Sequence, residues 1–130
     1  LSVKTYLTAL IVFFAIDLLW LGIIAAKLYR QYLGFIMADK INWPAALIFY
    51  GIFISGLVYF VIEPALLKQS LAYAIGAGAF FGFLTYATYD LTNLATLKDW
   101  PLPITIIDLI WGSFLSASVS GISYLILQKF

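Results

Sequence analysis

Four stretches of this chain, at about 5–26, 44–62, 70–94 and 102–127, are each long and apolar enough to cross a bilayer, and three aspartates lie inside them. A span needs about 20 mostly apolar residues to cross roughly 30 Å of hydrocarbon. In hydrocarbon every peptide group must find its partner within the protein, which leaves helices or a closed barrel. The eight alternating strands of a small barrel are not visible. The expected fold is therefore all-α: a four-helix transmembrane bundle forming a single integral-membrane domain over 1–130. Composition agrees. The chain is 65% hydrophobic and 10% charged, whereas a soluble domain is roughly half apolar and a quarter charged. So short a chain cannot bury that much apolar surface in a core of its own. The lipid bilayer is the missing solvent.

The absent residue types narrow the chemistry. There is no cysteine and no histidine. That removes disulfides, thiol nucleophiles, the usual zinc sites, histidine-ligated haem, and every Ser-His or Cys-His catalytic pair. No cofactor is indicated. The net charge of +1 comes without a basic block, so no nucleic-acid partner is expected. The first apolar stretch is too long for a signal-peptide core, contains Asp17 and is followed by further spans, so it reads as a span.

The connections carry readable signals. "INWPAA" puts Pro44 at a helix start, with Asn42 or Trp43 as the cap. "IEPALLKQS" puts Pro64 beyond the second span, so that helix is expected to end or kink near Glu63. "KDWPLP" separates the third helix from the fourth. Between the first two spans, Leu28, Tyr32 and Ile36 recur at i, i+4 and i+8. That spacing suits a short interfacial helix on the membrane surface, or equally a continuation of the first helix into water. With four spans, the loops joining spans 1–2 and 3–4 share one side, here termed the loop face. Lys27, Arg30, Lys40 and Lys98 lie there, against Lys4, Lys68 and Lys129 opposite. That difference is too small to assign orientation.

The acidic residues are not scattered. At about 1.5 Å per residue, Asp90 lies roughly 6 Å, Asp108 roughly 9 Å and Asp17 roughly 13 Å below the loop face. Trp20, Trp111 and Asn93 share that half, and Trp43 and Trp100 fall at its boundary, where an aromatic belt would sit. Asp and Trp are three apart in "IDLLW" and again in "IDLIW", so each pair shares a helix face. The two spans run antiparallel, which levels Asp17 with Trp111 and Asp108 with Trp20. Reciprocal bonds are expected, each indole N–H donating to the other helix's carboxylate. Tyr59 precedes Glu63 by four, as Tyr86 precedes Asp90, a spacing that lets each phenol reach its acid.

Small residues form rows on the last two spans: Ala74, Gly78 and Gly82; Gly112, Ser116 and Ser120; Ser113, Ala117 and Gly121. Their default role in lipid is close helix packing, within the bundle or between protomers.

Intramembrane acids are a functional-site hypothesis by default. Three of them cannot all be ionised in a dry pocket, so at least one is expected to carry a proton at neutral pH. The ligand-binding or proton-relay candidates are Asp17, Asp90 and Asp108, with Trp20 and Trp111 orienting them and Tyr86 and Asn93 completing the wall. A protonatable, aromatic-lined cavity suits binding or proton-coupled transport of a small cation or amphiphile. Oxygen ligands from the three aspartates and the Asn93 carbonyl would also suit magnesium or calcium. The alternative is a structural or accessory membrane protein whose Asp, Trp and Tyr network only locks the helices. A lipid-modifying enzyme with an aspartate as general base ranks third, because no obvious nucleophile accompanies it. A full transport path from four helices would call for a homodimer.

"FFAIDLLWLG", "NWPAALIFYGIF", "YFVIEPAL" and above all "TYDLTNLATLKDWP" resemble a bacterial integral-membrane family known only as a domain of unknown function. The resemblance runs over nearly the whole chain. It implies a small four-helix, multi-pass protein of the inner membrane and brings no activity, substrate or site residue.

Overall fold

The computed structural model describes residues 2–130. Four helices long and apolar enough to cross a membrane follow one another: α1 (Val3–Leu33), α2 (Trp43–Lys68), α3 (Leu71–Thr96) and α4 (Leu102–Lys129). No strand occurs among the described residues. Large side chains such as Leu18, Leu47, Phe80 and Ile110 point outward, as a surface solvated by lipid requires.

Each start has a local cause. Ser2 Oγ accepts from the Thr5 amide (3.4 Å), Asn42 Oδ1 from that of Ala45 (3.2 Å), and Ser70 Oγ from that of Tyr73 (2.9 Å). These caps satisfy amides that have no partner within the helix. Pro44 sits in the first turn of α2, where its missing N–H does no harm. Gln69 adopts a left-handed conformation (φ 51°) and ends α2. The Ser70 amide then reaches back to the Ala65 carbonyl (3.1 Å), and α3 begins at the next residue, Leu71.

Two alternatives left open by the sequence are decided. No separate interfacial helix follows span 1: α1 continues to Leu33 through a wide turn at Leu21–Ala25. Nor does α2 end near Glu63: it runs on to Lys68, with a second wide turn at Val58–Ile62 just before Pro64. There the Glu63 amide donates to the Val58 carbonyl, five residues back. Pro64 has no N–H for the Phe60 carbonyl one turn earlier. The Tyr73 hydroxyl of α3 donates to that carbonyl instead, at 3.4 Å.

The apolar core lies away from the loop face. Ala9, Val12 and Phe13 of α1 meet Phe53 to Ile62 of α2, with Leu115 and Val119 of α4. Because lipid is as apolar as these side chains, close packing rather than exclusion from water holds the helices together. The tightest contact is α3 on α4. Ala74, Gly78, Gly82, Gly112, Ser116 and Ser120 are all buried. A Cβ placed on Gly78 would fall 2.8 Å from the Ser116 carbonyl oxygen and from Ser120 Oγ, so only glycine permits this approach. Two of the three small rows are thus consumed inside the chain. Toward the loop face α2 is less enclosed: residues 42–52 include no buried side chain, and the first is Phe53.

Candidate functional site

The loop-face half holds the polar layer. Asp90, Asp108 and Asp17 are 0, 6 and 8% exposed. Asp90 on α3 and Asp108 on α4 bring their carboxyl groups close to each other. Neither Asp90 oxygen has a hydrogen-bond partner. Carboxylate oxygens only accept, so two facing carboxyls need a proton or a bound donor between them.

Asp108 has a partner the sequence did not suggest. The Tyr29 hydroxyl donates to its Oδ1. On an uninterrupted helix Tyr29 would lie about 120° around from Asp17, facing away, but the extra residue of the Leu21–Ala25 turn brings it to about 20°. Helical side chains also lean toward the N-terminus, which carries the phenol down from the loop-face end of α1 to Asp108. The sole sequence-level sign would have been the turn itself, and no proline announces it.

Asp17 occupies the other side. The Trp111 indole faces it, as levelling the antiparallel spans suggested. The reciprocal bond does not form. Trp20 and Trp111 stack with ring centroids 4.4 Å apart and planes 12° from parallel, Trp20 Nε1 is buried without a partner, and Tyr29 holds the Asp108 oxygen that Trp20 was expected to reach. Tyr86 does not bond Asp90. Its phenol lies within electrostatic reach of all three acids and of Tyr50. Its ring lies directly over Gly112, where a Cβ would overlap it. Asn93 sits beside the Tyr89 phenol rather than on a carboxyl group. Tyr59 is exposed, and Glu63 Oε1 accepts instead from the Ser2 amide at 3.3 Å.

Trp100 is another correction. It is buried, not part of a lipid-facing belt, whereas Trp43 is exposed as a belt residue should be. Asp99, with φ 63°, turns the chain back so that Trp100 Nε1 donates to Thr105 Oγ1 (3.0 Å), which in turn reaches the Asp90 carbonyl (3.5 Å). The indole roofs the Asp90 end of the layer. Its ring also meets Tyr89 edge to face, with centroids 5.8 Å apart.

Two cavities adjoin the acids and share Phe49 and Tyr86 as a partition. One, about 210 Å³, is lined by Asp17, Trp20, Tyr29, Tyr50 and Trp111. The other, about 320 Å³, is lined by Thr85, Tyr89 and Asp108. The three aspartates do not converge on one point. Among the described residues no three acidic groups could hold a metal ion together, so the magnesium or calcium arrangement is not formed.

Fold and site together define a multi-pass membrane protein with four candidate spans and three buried acids beside aromatic side chains. The chain belongs to the predicted membrane protein family DUF2177, a family of unknown function whose model matches residues 2–125. No curated protein and no solved structure matches the chain.

Proposed function

We propose that this is a small inner-membrane protein that binds a cationic or amphiphilic small molecule in the acidic chamber and moves it in exchange for a proton. The observation that supports this best is Asp90. A fully buried carboxyl with no hydrogen-bond partner, close to another carboxyl, destabilises a fold unless function retains it. The pair with one proton between them carries a single negative charge. A monocation entering beside Asp108 would balance that charge or displace the proton, which couples the two species. Tyr86 and Tyr29 would pass protons along the layer. A second copy would complete the path across the membrane, with the partly exposed Ser113 and Ala117 available for contact.

The competing reading is that the polar layer only fastens the bundle. The Tyr29–Asp108 bond between α1 and α4 favours it. Asp90→Asn separates the two. In liposomes carrying an internal pH dye, added alkylammonium should drive proton movement through the wild type and not through the variant, while the melting temperature in detergent stays within a few degrees. No proton movement in the wild type, together with a clear drop in melting for Asp90→Asn, would establish the fastening role instead.

A further inference from the structure

We infer that the chamber is reached sideways from the bilayer, through the cleft between α2 and α3, and that its ligand is a membrane-dissolved amphiphile with one cationic, N–H-bearing head. This inference rests on the binding function proposed above and specifies its ligand and route.

The first buried side chain of α2 is Phe53, and the turns before it do not close on α3. The 320 Å³ cavity lies in that gap, between Phe49 on one side and Thr85, Tyr86 and Tyr89 on the other, with Asp108 at its base. Phe49 is 50% and Tyr89 57% exposed. At this depth in a spanning helix, exposure means contact with lipid. On the loop-face side, Trp100 is buried and pinned through Thr105, and the Tyr29 hydroxyl of α1 bonds Asp108.

The lining selects the ligand. Asp108 is the one acidic side chain on this cavity, an acceptor for an N–H donor. The remaining wall is the aromatic rings of Phe49, Tyr86 and Tyr89, with Thr85. A head with one positive charge meets Asp108, and an apolar tail lies along Phe49 and Tyr89 and out into lipid. The volume falls within the usual range for small-molecule sites, roughly 300–1,000 Å³. A compact hydrophilic cation would leave most of that wall unused.

The probes are dodecylammonium and ethylammonium, titrated into the full chain in nanodiscs and followed by tryptophan emission. Dodecylammonium is expected to give a saturable change, weakened about tenfold or more by Asp108→Asn and by Thr85→Phe, which narrows the cleft. Ethylammonium at equal free concentration should give almost none. Equal binding of both amines, unaffected by Thr85→Phe, would overturn sideways access and leave a binding chamber standing. Absence of saturable binding for either amine would overturn both proposals. The comparison of the two amines on the wild type decides the matter even if a variant misfolds.

Discussion

The Tyr29 hydroxyl donates to Asp108 Oδ1, joining the loop-face end of α1 to the first turns of α4. Tyr29→Phe keeps the ring and deletes the donor. Hydrogen bonds between membrane helices average about 0.6 kcal/mol and reach about 1.7, so a loss near 1 kcal/mol is expected in equilibrium unfolding. Asp108→Asn in the same background should add less than it does alone, because both changes remove one interaction. Full additivity would mean that the bond contributes nothing to stability.

Gly82 and Gly76 lie on one helix and should respond oppositely. A Cβ on Gly82 would overlap the Gly112 carbonyl, whereas nothing lies within 4 Å of one on Gly76. Gly82→Ala must push α3 off α4 and should destabilise by about 1–3 kcal/mol, as overpacking does. Gly76→Ala should be neutral or stabilise by up to about 1 kcal/mol through helix propensity. Thermal melts in detergent distinguish them, and equal behaviour would contradict the α3–α4 contact.

The stacked indoles of Trp20 and Trp111 should give coupled bands in near-ultraviolet circular dichroism. Trp20→Phe and Trp111→Phe should each abolish the couplet. Trp43→Phe, at an exposed position, should leave it intact. A couplet that survives loss of Trp20 would rule out the stack.

Gln69 holds a left-handed backbone at the α2–α3 turn, a conformation that costs a residue with a Cβ about 1–2 kcal/mol. Gln69→Gly should therefore raise the melting temperature, with a gain of up to about 1 kcal/mol. A lower melting temperature would show that the Gln69 side chain makes a compensating contact.

Much of the architecture was legible because its causes are local. Asn42 with Pro44, and the polar breaks after spans 2 and 3, set where helices begin. Counting along straight axes put Asp17, Asp90 and Asp108 toward the loop face, and all three are buried in the structure. The partners of those acids were less legible. Levelling the two spans correctly put Trp111 against Asp17 and wrongly gave Asp108 to Trp20. Trp100 passed for a belt residue because its depth was right, while its direction depended on a left-handed turn at Asp99.

By itself the sequence determined that lipid is the solvent, that four helices cross it, and which layer carries the acids. Hydropathy and backbone satisfaction act residue by residue, so they need no knowledge of neighbours. The tertiary structure alone decided that Asp90 lies close to Asp108 and that Tyr29 reaches Asp108. It also decided that a cavity opens between Phe49 of α2 and Tyr89 of α3, beside Asp108. Those outcomes depend on helix rotation and tilt. One extra residue in the Leu21–Ala25 turn rotates everything after it by about 100°, a change that alters no residue's hydropathy and decides which side chains meet.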